Sequence, residues 1–435
     1  MSRRSFWLVA VVALGILPLA NLRGEEESAA TGSGTELSTP AGSGGPASSA
    51  TPLASGSDSG SNVGVGVFSR FPINVSISVH GGYDDNVNTS HFNKQDSWFT
   101  TAGLLLNYQG GNSRTKFSIS TNFGFIYYTN TDQNPFEPNL NLAANFSHKV
   151  SPRLAITASG LFVYQTEPDF QYGLGINRRA GNYFYTDERL AAEYMWAPRF
   201  STVTTYGLTA VRYDQLAIGF FENRAENTVG NQFRFLLLPT TNLVGEYRFQ
   251  VVSYENFNRD STTHYLLGGV DHAFGPRLTA NFRVGEQIRD YDQFGEQTSP
   301  YFESTVNYKL GKDSSAAWST HYGIEEGDVL TNPTRKTFRT GLTAKRNITA
   351  RITASLSMFY EHDDYQEQQI VNPAGPPTIS PSFSEDWFNI DVGLRYAVTR
   401  YLGLEAGYNY SDISSDITLR DYSRNRVWAG LNVAF

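Results

Sequence analysis

From about Phe68 onward the chain alternates apolar and polar residues with a period of two. Ile73, Val75, Ile77 and Val79 are separated by Asn74, Ser76, Ser78 and His80. Successive side chains leave a strand on opposite sides, so this spacing predicts a strand with one apolar and one polar face. Phe117, Ile119, Thr121, Phe123, Phe125 and Tyr127 repeat the pattern against Ser118, Ser120, Asn122 and Gly124. Leu243, Gly245, Tyr247, Phe249 and Val251 alternate with Glu246, Arg248 and Gln250. Further strands are expected where Ile352, Ala354, Leu356, Met358 and Tyr360, and then Phe388, Ile390, Val392, Leu394 and Tyr396, recur at the same spacing.

The links between these segments come in two kinds. Tight turns built from Gly, Pro, Asn, Asp, Ser and Thr are expected near 110–112, 151–153, 197–199, 239–241, 275–277, 311–313, 345–347 and 398–400. Longer polar segments, 83–96, 130–138, 166–182, 214–224 and 361–385 among them, alternate strictly with the tight turns. Strand starts are then expected near 72, 98, 115, 138, 153, 184, 200, 226, 242, 263, 277, 300, 315, 336, 350, 386, 401 and 422, eighteen in all. Each strand with its link takes about 20 residues, which leaves roughly 10 for a tilted membrane-crossing strand.

A soluble sandwich could bury such faces as well. Three features favour an all-β, transmembrane antiparallel β-barrel of about 18 strands, with 16 as the alternative count. In lipid every backbone polar group needs a partner inside the protein, and a sheet meets that demand only by closing on itself. Aromatic residues gather at strand ends, as two girdles at headgroup depth would require. Trp98-Phe99, Tyr127-Tyr128, Tyr183-Phe184-Tyr185, Phe220-Phe221 and Trp387-Phe388 mark the long-loop side, and Trp196, Phe274, Tyr308 and Tyr401 the short-turn side. The final segment, Arg426 to Phe435, resembles the C-terminal strand signal read by the outer-membrane barrel-assembly machinery, with Gly430, Val433 and Phe435 as its matching residues.

The N-terminus reads differently. Arg3 and Arg4 precede an apolar run from Phe6 to Ala20, the layout of a Sec-type signal peptide, assigned here to residues 1–24. Pro18-Leu19-Ala20 and Leu22-Arg23-Gly24 compete as its cleavage region. Residues 25–67 are rich in Gly, Ser, Ala, Thr and Pro and are expected to form a disordered linker. The barrel takes residues 68–435.

Composition fits this division. Charged residues make up 17% of the 435 positions and aromatic residues 14%, with three Met and no Cys. An ordinary soluble surface carries about 25% charge. The lack of Cys excludes disulfides, thiolate metal sites, a Cys nucleophile and a lipoprotein anchor. Of the net charge of −8, residues 1–66 carry −2, and the −6 of the barrel is expected to lie largely in the outer loops.

The segment His80-Gly81-Gly82-Tyr83-Asp84-Asp85-Asn86-Val87, followed by Asp96-Ser97-Trp98-Phe99, resembles the start of the putative beta-barrel porin type-2 family of bacterial outer-membrane proteins. The resemblance implies an outer-membrane barrel over residues 68–435. Some relatives accompany exopolysaccharide systems, and the family offers no catalytic residue to carry over.

An eighteen-stranded barrel holds an aqueous lumen. The inward parity places Arg189, Arg234, Arg248, Arg283, Arg289, Lys309, Arg339, Lys345, Arg351, Arg395, Arg424 and Arg426 in it. Against them stand Asp187, Glu193, Glu246, Glu303, Glu325, Asp391 and Glu405. That basic excess predicts a weak anion preference; pairing of the same charges across strands would stiffen the wall instead. The third long loop, with Glu167, Asp169, Arg178 and Arg179, is a constriction candidate, and 361–385 is another.

The expected function is passive diffusion of small hydrophilic solutes. The alternative is a non-catalytic barrel serving exopolysaccharide export or envelope architecture, and a rim hydrolase comes third. His80 near Asp84 and Asp85, or His362 beside Asp363 and Asp364, would be its general base. Asp84, Asp85 and Asn86 offer hard oxygen ligands for Ca²⁺, though no defined ligand spacing supports a site. No catalytic residue, metal or cofactor is assigned. The expected partners are outer-membrane lipid and the assembly machinery, with a homotrimer as a further option and no nucleic acid.

Overall fold

The computed structural model describes residues 73–435, apart from 133, 167–181, 257–258, 293–294, 312–313, 330–331, 371–377 and 418–419. The expected signal peptide and linker lie outside the described residues.

The alternating segments form β1 (Ile73–Asp84), β2 (Ser97–Gly111), β3 (Thr115–Tyr128), β4 (Phe136–Lys149), β5 (Leu154–Thr166), β6 (Asn182–Ala197) and β7 (Phe200–Tyr213). A short helix, α1 (Leu216–Glu222), precedes β8 (Arg224–Leu238), β9 (Thr241–Tyr254), β10 (Ser261–Ala273), β11 (Leu278–Tyr291), β12 (Gly295–Gly311) and β13 (Ser314–Val329). β14 (Asn332–Asn347) and β15 (Ile352–Tyr365) follow. The small pair β16 (Gln368–Ile370) and β17 (Thr378–Ser380) then lies outside the main sheet, ahead of β18 (Phe383–Ala397), β19 (Leu402–Ser415) and β20 (Tyr422–Ala434). All other strands join one 18-stranded antiparallel sheet, in which β1 pairs with both β2 and β20. The sheet therefore closes and leaves no edge, as the pattern requires.

The strands are tilted, and the register shows it. Sideways pairing from Phe200, at the short-turn end of β7, passes through Phe235, Leu243, Val270 and Phe282. It continues through Ser304, Thr320, Thr340, Tyr360, Phe388 and Asp412 to Ser423, at the long-loop end of β20. Such a stagger is what closing a tilted sheet demands.

Outward positions carry the expected apolar residues, among them Ile77, Phe123, Phe233, Leu266, Val284, Leu394 and Leu431, all exposed. The aromatic pairs divide between the two faces. Trp98, Tyr127, Phe184 and Phe388 point outward and are exposed, whereas Phe99, Tyr128, Tyr183, Tyr185 and Trp387 point inward and are buried. Adjacent residues on a strand must face opposite ways, so only one of each pair serves the girdle.

Two long-side links depart from the expected alternation. Only 292–294 separates β11 from β12 and only 330–331 separates β13 from β14, because strands of 16 and 17 residues replace the loops.

Candidate functional site

The inner wall has two halves. Near the long loops its residues are buried: Asp84, Val163, Val211, Val252, Thr263, Gln287, Ser299, Thr337 and Asp363 are all at 0% exposure. Near the short turns, residues of the same parity are half-buried, such as Ser118, Ser120, Ser147, Thr157, Thr343 and Ser355, or exposed, such as Asn145 and Lys309. The lumen is thus accessible from the short-turn side and filled toward the other.

Three inward-folded pieces contribute to the filling. The link after β7 turns α1 inward, where Ile218 joins Val163, Tyr183, Tyr185, Val211 and Tyr213 in one apolar cluster. The link after β1 does the same with Val87, which packs on Phe99 and Tyr128 beside Trp428. The third piece is the outer end of β13. Its pairing to β12 ends at Phe302–Tyr322; Pro300, with no N–H to offer, lies in the unpaired stretch. Beyond that point β13 leans across to β11. Gln287 Nε2 donates to the Ile324 carbonyl (2.9 Å), and the Ile324 N–H donates to Gln287 Oε1 (2.7 Å). Gly323 makes room for this approach, since a Cβ there would lie 2.7 Å from Gln287 Oε1 and 2.9 Å from the Tyr301 ring.

The charges on the inner wall are paired. Arg248 reaches Glu246 (2.5 Å) and Glu303 (2.6 Å), and Arg283 reaches Asp271 (2.7 Å) and Glu246 (3.5 Å). Arg189 holds Asp187 at 2.8 Å, Arg289 holds Glu326 at 2.5 Å and Arg339 holds Glu361 at 3.0 Å. Arg395 lies 3.7 Å from Glu405, which also takes His80 Nε2 at 2.9 Å. Arg335, fully buried, meets Glu361 (3.3 Å), Glu325 (3.5 Å) and Asp363, and stacks on Trp387.

Several candidates have neutral partners. Arg234 donates to Gln232 (2.8 and 3.0 Å), Asn409 donates to Asp391 (2.8 Å), and Ser201 donates to Glu193 (3.4 Å). Lys309 and Lys345 hold inward register near the short turns. Arg351 does not line the lumen: it lies exposed in the turn between β14 and β15. Glu167, Asp169, Arg178 and Arg179 lie outside the described residues.

The expected basic excess is corrected by inward acids that the sequence reading left out. Asp84, Glu137, Glu226, Asp271, Glu361, Asp363 and Glu385 share the inner face by register, and Glu326 joins them where β13 bends inward. The same register also adds the inward bases Lys116, Lys149, Arg224 and Arg335, so the described wall is close to neutral. Strand parity would have found the first seven acids; the bend of β13 has no signal in the alternation itself.

The segment 80–87 works at the seam. Asp84, wholly buried, takes Arg424 (2.5 Å) and Arg426 (3.1 Å) from β20. Asp85 accepts the Asn425 backbone N–H and side-chain Nδ2 (both 2.7 Å), and Asn86 Nδ2 donates to the Ser423 carbonyl (2.9 Å). The carboxylates considered for Ca²⁺ are thus engaged in joining the first strand to the last, and Asn86 Oδ1 accepts the Ser90 N–H (2.9 Å). The two histidine clusters also separate. His80 turns inward to Thr101 (3.1 Å) and Glu405, away from Asp84. His362 lies on the outward face with Asp386 (2.8 Å) and Asp364 (3.4 Å), while Asp363 points inward to Arg335.

At the long-loop mouth a further cation is buried. Arg259, in the link 255–260, lies 3.7 Å from Glu222 of α1 and 3.9 Å from Glu326 of β13. Burial opposes its charge, but Tyr254, Glu222 and Glu326 around it hold its pKa above the ordinary arginine value.

A family profile described as "Putative beta-barrel porin 2" matches residues 59–435. The chain belongs to that family. As a member it is an outer-membrane β-barrel of porin type, and its match begins inside the segment assigned to the linker. A search of curated proteins finds no match. Among solved structures, OccK3 (OpdO) of Pseudomonas aeruginosa is similar at TM-score 0.42 and 12% identity, over 83% of this chain and 96% of that one. OccAB3 of Acinetobacter baumannii is similar at TM-score 0.40 and 11% identity, over 83% and 99%. The ferric enterobactin receptor PfeA of Pseudomonas aeruginosa is similar at TM-score 0.41 and 8% identity, over 84% and 80%. These likenesses bring no ligand or mechanism to the family member described here.

Proposed function

We propose that this family member is a channel through which small hydrophilic solutes diffuse passively across the outer membrane. The observation that carries the reading is a polar inner wall, accessible from the short-turn side, in an 18-stranded barrel that the porin family profile covers. Barrels of 16–18 strands leave room for water along the axis. Outer-membrane lipid around the apolar band, the barrel-assembly machinery and a homotrimer are the partners proposed.

The weak anion preference is recast. It rested on a basic excess, and the wall instead pairs Arg with Glu or Asp on most strands that carry charge. Among the groups with neutral partners, the base Arg234 stands with two acids, Asp391 and Glu193. The proposal is a channel of weak ionic selectivity, tested by the reversal potential across a planar bilayer in a salt gradient. A strong cation or anion preference would overturn it.

One observation favours a second reading. The buried outer half of the wall suits a non-catalytic barrel serving exopolysaccharide export or envelope architecture, opened only by other components. Conductance of the purified protein alone separates the two, because the second reading predicts none.

A further inference from the structure

We propose that Arg259 is a clasp that holds the long-loop mouth in a closed state, and that releasing α1 from it opens the lumen. The inference rests on the channel reading. Arg259 is wholly buried although it comes from a link and not from a strand. Its guanidinium lies between two buried carboxylates, Glu222 of α1 at 3.7 Å and Glu326 of β13 at 3.9 Å. It also donates to the Gly327 carbonyl and lies over the Tyr254 ring, 4.8 Å from its centroid. One side chain thus ties together a helix, a link and two strands that are distant in sequence.

The parts it joins differ in how firmly they are held. Glu326 also takes Arg289 at 2.5 Å and the Tyr254 hydroxyl at 2.8 Å, and Gln287 fixes Ile324 nearby. β13 is therefore anchored without Arg259. α1 is not built to stand alone. It has seven residues, no side-chain N-cap, no acid in its first turn and no base in its last, and a helix that short lacks stability of its own in water. Leu216 is 89% exposed and Phe220 48%, whereas Ile218 is buried in the apolar cluster. Without the guanidinium Glu222 loses its tie to β13, whereas Glu326 keeps Arg289 and Arg224 stays near both carboxylates, so the loss loosens α1 and leaves β13 in place.

The chain has no cysteine, so a single thiol can report on α1. Ile218→Cys is introduced into the full-length protein, refolded into vesicles, and its reaction with a maleimide is timed with and without Arg259→Ala. A cold-SDS gel shift verifies folding in each case, and Glu222→Gln serves as a second release variant that keeps side-chain size. The clasp predicts slow labelling in the parent, acceleration of about tenfold in either variant, the scale of a modest shift in a local opening equilibrium, and longer open times in planar bilayers. Equal labelling rates in all three would overturn it. If the parent conducts but labelling does not change, the channel stands and the clasp fails. If labelling accelerates while every bilayer stays silent, the control of α1 stands, and both the channel and a clasp on it are overturned.

Discussion

Asp84 shows how much of the barrel hangs on single side chains. Two arginines from β20 converge on this wholly buried carboxylate. Removing one partner of such a cluster leaves uncompensated charge and costs about 3–5 kcal/mol. Asp84→Ala is expected to lower the urea concentration at which the cold-SDS band converts to the unfolded position. Adding Arg424→Ala and Arg426→Ala should restore part of the loss, because no stranded cations remain. An unchanged midpoint in the single variant would show that the seam is held by backbone pairing alone. The inward placement of Arg189, Arg248, Arg283 and Arg339 could be read from alternation. The inward placement of Arg335, Glu361 and Asp363 followed the same rule but needed strand ends carried one to three residues further. Arg259 could not be read at all, since a residue in a link has no parity to count.

At the scale of elements, the strands were legible because each must present one face to lipid and the other to water, so the pattern repeats without interruption. Expected starts such as 115 and 200 coincide with β3 and β7, and 422 with β20. The largest displacement, 300 against Gly295, falls where β11 and β12 run past the barrel into what looked like loop. α1 and the bend of β13 stayed hidden because a single buried Ile or a single Gly gives no period. Gly323 tests the bend. Gly323→Val would press on Gln287 and Tyr301 and push the end of β13 off β11. The variant is expected to fold, by its gel shift, and to speed the swelling of vesicles in a small neutral solute severalfold. An unchanged rate in a folded variant would show that β13 does not limit passage.

For the whole molecule, closure explains features that looked separate. The segment 80–87 that carried the family resemblance spends its polar groups on β20, and the last strand sets Val433 outward and Gly430 inward. A Cβ on Gly430 would lie 2.1 Å from the Val79 carbonyl, so this position needs glycine for the seam to form. Phe435 stays exposed beside it. The scarcity of charge noted in the sequence follows from an outward face that meets lipid, and the charges on the inner wall form compensated sets. The account therefore stands on one measurement, current through planar bilayers holding the purified, refolded chain in a salt gradient. It predicts brief discrete openings with a reversal potential close to zero. Bilayers that stay silent although insertion of the parent chain is verified would contradict it.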